Sequence, residues 1–432
     1  MTSAADPVKG GPPGVVILHA GTGDAQRYRC LHLREQLDLL GVACGVREFR
    51  PGAGSVLEPC DLLVIHRVPL DGFLRRQLQG LQRRGTPVVF DADDLVFDVR
   101  EALSFAAAIG DGWLRRALYR EDLKGMSRTL EMSDGAIVAT EALAAHARQR
   151  GAKVWVHRNA FSMEMLGAAQ AASRARRPDG DTVVLGYASG TPTHERDFAV
   201  VRPVLEEILK RHENVELRLA GHIRRGDDWG ALSSRVRSVP FATWQQLPAV
   251  LAGFDVNLAP VEPDRLFCEA KSEIKYVEAG LVRVPTVASA TEAFRFAVRS
   301  GDNGFLARTR AEWREALERL VVDPEVRSRV GRNAYDDVVR RYHPATRAAE
   351  LRRTLAEVLG QRDGRTPGQP GRPDADRSLE RLAVSAPPPR PGGSHVGRAW
   401  YSLRYESPRV FALRSLSFLA NRARRRGTTP SC

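Results

Sequence analysis

The sequence predicts an α/β protein built from two doubly wound parallel-sheet domains, and three observations support this fold class. Short apolar runs alternate with longer segments that carry apolar residues at helical spacing. This alternation stops near residue 165 and starts again near residue 181. The length of 432 residues suits two domains with accessory segments. Because open parallel sheets bind ligands at the carboxyl ends of their strands, we expect a central cleft between the two domains.

The first pattern fills residues 14–164, an expected N-terminal domain that follows a flexible Gly/Pro-rich start at 1–13. Val15–Ala20 is a continuous apolar run and is typical of a buried strand. Tyr28–Leu40 has helical spacing and ends at Gly41, a common helix stop. Later strands and helices alternate as βαβ units require. The expected strands are Leu62–His66, Val88–Phe90, Ala136–Ala139 and Val154–Val156, and the expected helices lie near 71–84, 114–131 and 141–149.

The second pattern fills residues 181–343 and predicts a C-terminal domain of similar construction. Residues 165–180 are rich in small residues and arginine and are expected to form an interdomain linker, whereas 344–360 predict a closing helix. The expected strands are Thr182–Tyr187, Val215–Ala220, Val256–Ala259 and Val284–Ala288, and the expected helices are Phe198–Arg211, Trp244–Ala252, Glu273–Leu281, 310–321 and 324–341.

The positive charge is concentrated behind the second domain. Thirteen Gly or Pro residues in 361–397 predict a disordered linker, and 398–432 form a basic aromatic tail. Residues 361–432 hold fourteen Arg and five acidic residues, so they carry nine of the thirteen net positive charges. The near-balanced remainder argues against nucleic-acid binding by the globular domains. Aromatic residues among eight Arg in 398–426 fit an anionic membrane surface, while a protein partner, single-stranded nucleic acid or no partner at all stay open.

Location is predicted from what the sequence lacks. No apolar run approaches the ~18 residues of a membrane-spanning helix, and the start has no basic-then-apolar signal pattern. The five cysteines are scattered without a CxxC pair, which favours a reducing compartment and excludes a zinc-ribbon or disulfide framework. We expect a cytoplasmic protein, peripheral on the inner face of the membrane if the tail binds lipid.

The first candidate site lies between Glu269 and Ser289. On a helix, Ser272, Lys275 and Glu278 fall three apart and share one face. The chain has six Lys against fifty-nine Arg, and both Lys271 and Lys275 belong to this stretch. An ammonium at a helix N-terminus suits a phosphate, and a carboxylate one turn later suits the hydroxyls of a ribose. The alternative is a solvated amphipathic helix with an internal Lys–Glu pair.

These residues resemble the nucleotide-binding signature of GT-B glycosyltransferases, particularly the retaining family four, the glycosyl transferases group 1. Seven positions match in register: Ser272, Lys275, Glu278, Pro285, Val287, Ala288 and Ser289. The resemblance covers about 15–360 and implies two Rossmann-like domains. It also implies that Lys275 binds the donor diphosphate and Glu278 the donor ribose. Two positions depart from the pattern, since Ala270 replaces the family's first glutamate and Arg283 replaces a glycine.

The second candidate site is the turn after the strand Thr182–Tyr187. Backbone N–H groups and hydroxyls in such a turn form an anion cradle. The candidate donor-phosphate contacts are Ser189, Gly190, Thr191 and Thr193, with His194 as a basic neighbour. The alternative is an ordinary strand–helix turn in which Thr193 or His194 caps the next helix.

The third candidate site is an acidic cluster between Asp91 and Asp98. Four carboxylates in eight residues at a strand end repel one another, which favours a function over a purely structural role. We assign Asp93 and Asp94 to catalytic or acceptor-binding work. Asp91-x-Asp93 also copies a metal-binding DxD motif, but we expect no metal because the donor half has its own cationic phosphate contacts. N-capping of the next helix with solvated charge is the remaining alternative.

The fourth candidate is the loop after the first strand, where Gly21 and Gly23 would approach a phosphate or the acceptor. A dinucleotide site is a weaker interpretation, because Gln26 replaces the third glycine that close helix packing needs. His66, at another strand end, is interpreted as structural rather than catalytic.

Together these features predict a glycosyltransferase that moves a sugar from a nucleotide-sugar donor to an acceptor hydroxyl. Resemblance to family four implies retention of configuration, and the cationic donor site implies no metal and no cofactor besides the donor. The acceptor would be a glycan, a lipid-linked compound or a small molecule. Two alternatives stay open: a degenerate member that only binds nucleotide sugar or acts as a scaffold, and a sugar-nucleotide epimerase.

Overall fold

The computed structural model describes residues 14–21, 23–49, 57, 59–106, 112–176, 180–191, 194–226 and 228–360. Within this part the chain forms two compact units. Unit 1 takes the described residues of Met1–Val138, His146–Trp155 and Ala348–Cys432, and unit 2 takes those of Ala139–Ala145 and Val156–Arg347. The predicted N-terminal segment, linker and tail (1–13, 361–397 and 398–432) lie outside the described residues. No helix that is described has the length and apolar composition needed to cross a membrane.

Unit 1 is built on a six-stranded sheet with the order β2-β1-β3-β4-β5-β6. β1 pairs in parallel with β2 and β3, β3 with β4, and β4 with β5. The strand order reverses beside β1, which creates the switch point at which doubly wound sheets bind ligands. The strands are β1 (Val15–His19), β2 (Cys44–Glu48), β3 (Leu62–His66), β4 (Val88–Ala92), β5 (Gly135–Val138) and β6 (Val154–Val156).

Helices cover both faces of this sheet because side chains alternate between the faces along each strand. On one face, Ile17 packs with Leu37 and with Leu355 from the last described helix. On the other face, Leu18 packs with Leu78. The helices are α1 (Asp24–Gln26), a π-helical segment (Arg27–Leu31), α2 (His32–Leu39), α3 (Gly72–Arg83), α4 (Val99–Ala106), α5 (Trp113–Met132), α6 (Glu141–Gln149) and α15 (Pro344–Gly360).

Unit 2 contains the second six-stranded sheet, with the order β12-β11-β10-β7-β8-β9. Its described ladders are parallel, and β7 pairs with both β8 and β10 at the centre. The strands are β7 (Val183–Ser189), β8 (Val215–Gly221), β9 (Val236–Val239), β10 (Val256–Ala259), β11 (Thr286–Ser289) and β12 (Phe305–Ala307).

The core of unit 2 joins the central strands to the helices on one face. Leu185 and Leu217 belong to one apolar cluster with Leu205 and the fully buried Trp313. The helices are α7 (Met163–Ala175), α8 (Glu195–Arg211), a 3₁₀ turn (Gly230–Arg235), α9 (Leu247–Ala252), α10 (Leu266–Glu269), α11 (Ile274–Leu281), α12 (Glu292–Ala297), α13 (Arg310–Val322) and α14 (Pro324–Arg341).

The predicted fold class is confirmed, but the units do not follow the predicted domain boundaries. Most of the expected linker at 165–180 is helix α7, which clusters with unit 2 and buries Met165 and Leu166. The small residues of this segment predicted a linker, but small residues also suit a closely packed helix. The larger part of α15 clusters with unit 1, because Leu351 and Leu355 enter that core.

Two strands of unit 2 are missing from the sequence-based prediction. β9 and β12 are the edge strands of their sheet, and they have only four and three residues. The burial of β9 is confined mainly to Val236, because its outer side has no neighbouring strand. Edge strands of this kind lack the continuous apolar run by which buried parallel strands are detected.

Candidate functional site

The carboxyl end of β7 meets the start of α11 in unit 2. The Lys275 ammonium donates a hydrogen bond to the Ala188 carbonyl and lies 5.0 Å from the centre of the Tyr187 ring. Burial lowers the pKa of Lys275, although the carboxylates of Glu278 and Asp197 act in the opposite direction. A partly desolvated ammonium is therefore held at the edge where ligands of parallel sheets bind.

The prediction that Ser272, Lys275 and Glu278 share one helix face is only partly correct. α11 begins at Ile274 with Glu273 at the N-cap, so Lys275 and Glu278 are helical and three apart. Ser272 precedes the helix, and its hydroxyl accepts a hydrogen bond from Asn159 Nδ2 at 3.2 Å. The predicted helix Glu273–Leu281 thus agrees with α11 to within one residue, but Ser272 lies outside it.

Lys271 serves a different partner from Lys275. Its ammonium lies 2.6 Å from the carboxylate of Asp197, a buried residue on α8. The other carboxylate oxygen of Asp197 accepts the backbone N–H of Glu262 at 2.9 Å. Asp197 closes the second motif in the sequence but had no predicted role. Asp197 lies in the first turn of α8, and its carboxylate holds both the Lys271 side chain and the backbone of Glu262, which follows β10.

The turn after β7 is held by its own side chains. The Ser189 hydroxyl donates to the Thr191 carbonyl at 2.8 Å and lies 3.3 Å from His194 Nδ1. Gly190 and Thr191 are exposed, whereas Ser189 is buried. Thr193, the fourth predicted phosphate contact, lies outside the described residues. Gly190 and Thr191 thus lie at the surface of the turn, while the Ser189 hydroxyl holds the Thr191 carbonyl.

His194 occupies the N-cap position of α8, although its side chain makes no capping hydrogen bond. Burial, followed by the charges of Lys275 and Lys271, places the pKa of His194 well below its usual range. The imidazole is therefore neutral at physiological pH. It is not the cationic phosphate contact that the sequence suggested.

Sequence reasoning missed an aromatic pair near this turn. The His222 and Phe241 rings lie 4.7 Å apart at 32°, and half of the Phe241 side chain is exposed. The backbone N–H of His222 donates to the Ser189 carbonyl at 2.9 Å. Gly221 makes this approach feasible, since a Cβ there would lie 2.2 Å from the Ser189 oxygen and its φ is +84°. A glycine at the end of β8 is the sequence signal for this contact.

A buried ion-pair network holds the N-terminal end of α11. Arg158 lies 3.3 Å from Glu273 and 2.6 Å from Glu292, and the Tyr342 hydroxyl donates to Glu273 at 2.9 Å. These contacts hold the N-cap residue of α11 in place. Arg158 has no role in the sequence analysis above.

The two departures from the family pattern have simple structural settings. Ala270 is fully buried, and its carbonyl accepts the Thr140 hydroxyl at 3.1 Å. Arg283 has a φ of +60°, the left-handed conformation that a glycine adopts without strain. Its guanidinium lies 4.1 Å from the centre of the Tyr335 ring. Arg283 thus keeps the backbone conformation that the family's glycine would adopt and adds a stacking contact.

The acidic cluster of unit 1 is divided between three arginines: Arg29 pairs with Asp91, Arg67 with Asp93 and Asp94, and Arg150 with Asp98. Arg67 contacts both Asp93 and Asp94, at 2.6 Å in the second case. Burial acts to lower the pKa of Arg67, but these two carboxylates outweigh it and raise the pKa. Arg67 follows β3 directly with a φ of +53°, which is uncommon for a residue with a side chain. Asp93 and Asp94, the two predicted catalytic carboxylates, are therefore both paired with the Arg67 guanidinium.

Asp91 belongs to a separate and fully buried network. Arg29 Nη2 lies 2.5 Å from one carboxylate oxygen of Asp91, and His66 Nδ1 lies 2.8 Å from the other. Burial would raise the pKa of Asp91, but Arg29 and His66 outweigh it and lower the pKa to about 2. An ionised Asp91 can only accept, so His66 Nδ1 carries the proton. This network joins Arg29, which follows the glycine loop, to the first residue of the acidic cluster.

Asp98 has a third role, since it binds the backbone N–H groups of Arg100 and Glu101 at the start of α4. The capping alternative therefore describes Asp98 and not Asp93 or Asp94. In the glycine loop, Gly21 and Gly23 are exposed, and Gly23 has a φ of +130°. The Gly21 carbonyl lies 2.8 Å from His19 Nδ1, beside the strand that ends in His66.

Comparison with known proteins places this geometry in a family. Residues 183–323 match the family model described as glycosyl transferases group 1. The matched residues lie within unit 2. The resemblance drawn from the Ser272–Ser289 motif is thereby confirmed. A comparison with curated protein sequences found no match.

Solved structures show the same fold along most of the chain. HepE from Anabaena with UDP is 16% identical, with a TM-score of 0.52 over 80% of this chain and 100% of that chain. Sucrose-phosphate synthase from Thermosynechococcus elongatus is 15% identical, with a TM-score of 0.53 over 80% and 99%. WaaG, a glycosyltransferase involved in lipopolysaccharide biosynthesis, is 11% identical, with a TM-score of 0.53 over 78% and 99%. These three structures share the two-domain GT-B fold with this chain.

Proposed function

We propose that this group 1 protein is a glycosyltransferase that moves a sugar from a nucleotide-sugar donor to an acceptor hydroxyl with retention of configuration. The observation that carries the proposal is Lys275, a desolvated ammonium at the carboxyl end of β7 within the matched family domain. In HepE structures of the same fold, the bound compounds are UDP, UDP with glucose, and UDP-glucose. The donor of this chain would bind to unit 2.

The donor contacts follow from the charges and exposed groups of unit 2. Lys275 would bind the diphosphate, together with backbone N–H groups of the turn that holds the exposed residues Gly190 and Thr191. Glu278, one turn after Lys275, would accept the hydroxyls of the ribose. The exposed ring of Phe241, braced by His222, would stack on the nucleobase. Ser272, Lys271 and His194 would support the site, since each already has a partner within unit 2.

Chemistry would depend on stabilising the leaving group. The bond between the anomeric carbon and the diphosphate oxygen breaks, and the negative charge grows on that oxygen. A preorganised ammonium and backbone N–H groups stabilise such charge without reorganisation. The acceptor oxygen forms the new bond to the same carbon and gives up its proton. Asp93 or Asp94 would accept that hydroxyl hydrogen, with the glycine loop at Gly21 and Gly23 close to the acceptor.

Metal independence is part of the proposal, and the carboxylates themselves support it. Asp91 is engaged by Arg29 and His66, whereas Asp93 is engaged by Arg67. A DxD motif holds a cation with both carboxylates, but here the two carboxylates have separate cationic partners. Lys275 supplies positive charge at the donor site, and no cofactor besides the nucleotide sugar would be needed.

We expect sugar transfer to persist in EDTA, and Asp93→Asn or Asp94→Asn to reduce turnover at least tenfold with little change in donor affinity. The physical reason is that these carboxylates would act on the acceptor and not on the donor diphosphate. Turnover is measured as release of nucleoside diphosphate, and affinity by calorimetry. Asp134→Asn is a control of the same chemistry, because Asp134 binds Val88 N–H elsewhere in unit 1. Activity that chelation abolishes and Mn²⁺ restores would contradict metal independence.

The donor is identified by a thermal-shift screen of UDP-, GDP-, ADP- and dTDP-sugars. One donor class is expected to raise the melting temperature, because a ligand that binds only the folded state stabilises it. Slow hydrolysis of the same donor would then show a competent leaving-group site. Binding without turnover across neutral, phosphorylated and lipid-linked acceptors would instead indicate a degenerate member, an alternative to which Ala270 points.

Partners outside the active site complete the proposal. A glycan, lipid-linked compound or small molecule would be the acceptor. Residues 398–426 would attach the protein to an anionic membrane surface, which implies a cytoplasmic protein at the inner face of the membrane. The nearly balanced charge of the first 360 residues leaves no role for nucleic acid in the globular domains.

A further inference from the structure

Arg67, directly after β3, has an unusual backbone conformation. Within the described residues, three positions other than glycine have a positive φ, and Arg67 is the one that belongs to unit 1. Its φ of +53° costs free energy, so this conformation persists only where the surrounding structure enforces it. Backbone strain of this kind is common at functional sites. The contacts around Arg67 indicate what the conformation is used for.

The backbone of Arg67 is held by β4 and α5. The Arg67 N–H donates to the Asp91 carbonyl at 3.2 Å, and the Thr129 hydroxyl donates to the carbonyl of the next residue at 2.7 Å. Gly125 of α5 lies so close to this loop that a Cβ there would be 2.6 Å from Pro69 Cβ. These contacts fix the direction in which the Arg67 side chain leaves the backbone.

The Arg67 side chain places one nitrogen atom between two carboxylates. Its Nη2 contacts Asp93 Oδ1 and lies 2.6 Å from Asp94 Oδ2. The two carboxylates differ in their access to solvent, since the exposed fraction of the side chain is 12% for Asp93 and 36% for Asp94. Asp94 is therefore the one open to an acceptor, whereas the more buried Asp93 holds the guanidinium.

We propose that Asp94 is the catalytic carboxylate and that Arg67 and Asp93 are positioning residues that act through it. This inference rests on the proposed glycosyl transfer, in which either carboxylate could serve. As the acceptor oxygen bonds to the anomeric carbon, the bond from that carbon to the diphosphate breaks, and the hydroxyl proton passes to Asp94. The Arg67 guanidinium keeps the Asp94 carboxylate ionised and fixes its direction, so that it can accept this proton.

The test compares kcat, acceptor KM and donor affinity among variants of the full chain. Turnover is the release of nucleoside diphosphate from the donor found by the thermal-shift screen, with water, methyl glucoside, glucose 6-phosphate and octyl glucoside as acceptors. Asp94→Asn should lower kcat about a hundredfold, as loss of a proton-accepting group does. Arg67→Gln and Asp93→Asn should each lower kcat about tenfold, because they displace the reacting carboxylate without removing it.

Donor affinity should stay at the wild-type level in all three variants, since the donor would bind to unit 2. Arg150→Gln is the matched control, because Arg150 lies 3.0 Å from Asp98 of the same acidic cluster and should keep the wild-type kcat. Arg67→Lys should recover most of the kcat lost in Arg67→Gln, because one nitrogen contacts both carboxylates and an ammonium can do the same. Arg67→Lys also keeps the positive charge, so it tests the inference if Arg67→Gln fails to fold.

A double-mutant cycle separates positioning from direct catalysis. If Arg67 acts only through Asp94, Arg67→Gln/Asp94→Asn should have the kcat of Asp94→Asn alone. Losses that multiply in the double variant would overturn the inference, because Arg67 would then act separately from Asp94. A greater loss of kcat in Asp93→Asn than in Asp94→Asn would overturn it as well.

Two further outcomes distinguish this inference from the proposed function. A wild-type kcat in Arg67→Gln, with a large loss in Asp94→Asn, would overturn the positioning role and leave the proposed transfer intact. A wild-type kcat in Asp94→Asn would overturn both the inference and the acceptor-side part of the proposed function.

Discussion

Arg29→Ala is expected to destabilise unit 1 by about 3–5 kcal/mol, because it leaves a buried carboxylate without its main partner. Arg29 has 2% exposure and Asp91 has 0%, so solvent cannot replace the lost guanidinium. The His66 hydrogen bond to Asp91 would remain, but it does not replace the two contacts that the guanidinium makes with this carboxylate. The change is measured as the free energy of unfolding in urea, followed by hydrogen exchange of β3 and β4.

Two controls show whether the ion pair is the cause. Arg34→Ala removes an exposed arginine from the neighbouring helix α2 and should cost less than about 0.5 kcal/mol. Arg29→Met/Asp91→Leu removes both charges and should lose less stability than Arg29→Ala, since no charge is left buried and unpaired. A single variant as stable as the wild type would show that Asp91 finds another partner.

The same network predicts a pH dependence. The pKa of Asp91 is lowered to about 2 in the folded protein from an ordinary value of 3.8. A carboxyl with a depressed pKa contributes stability that is fully present above the unfolded pKa and is lost as the pH falls through the folded pKa. Unfolding free energy should therefore drop between about pH 4 and pH 2. Asp91→Asn should flatten this part of the profile, and an unchanged profile would contradict the ionised state of Asp91.

Lys275→Met is expected to weaken nucleotide-sugar binding by ten- to a hundredfold, because a charge-assisted contact is worth about 1.5–3 kcal/mol. Methionine keeps most of the apolar contact with Tyr187, and a buried ammonium is itself costly. The melting temperature should therefore stay within a few degrees of the wild type. Titration calorimetry with the donor from the thermal-shift screen measures the affinity.

Lys210→Met is the matched control, since Lys210 is an exposed lysine near the end of α8 in the same unit. Glu278→Gln should weaken binding of the nucleotide-sugar donor but leave binding of the bare nucleobase unchanged, because it would remove only the contact with the ribose hydroxyls. Wild-type donor affinity in both Lys275→Met and Glu278→Gln would mean that the assigned motif register is wrong.

The fold class was predictable because buried parallel strands and their helices leave a periodic record. Continuous apolar runs such as Leu62–His66 mark strands covered on both faces, and residues at helical spacing mark the helices between them. The edge strands β9 and β12 and the helix α7 do not show these sequence patterns clearly. The first two are short and partly exposed, and the third is made of small residues that also suit a linker.

The resemblance to the glycosyl transferases group 1 was equally visible in the sequence, since the Ser272–Ser289 register is a local pattern. Lys275 and Glu278 were identified because a helix brings residues three apart together regardless of the rest of the chain. The burial and protonation of the site's ionisable groups could not be predicted from the sequence. The desolvation of Lys275 and the neutrality of His194 depend on what surrounds each group in space, and sequence neighbours do not report it.

The sequence by itself determined the two-sheet α/β architecture, the group 1 motif and the positions of the charged residues. Only the tertiary structure decided how those charges are paired. Arg29 and Asp91 are 62 residues apart, yet they form one buried pair, and Arg67 takes Asp93 and Asp94. Such pairing depends on which strand ends become neighbours in the sheet. Local periodicity specifies each strand, but the order of the strands is set by packing across the whole unit.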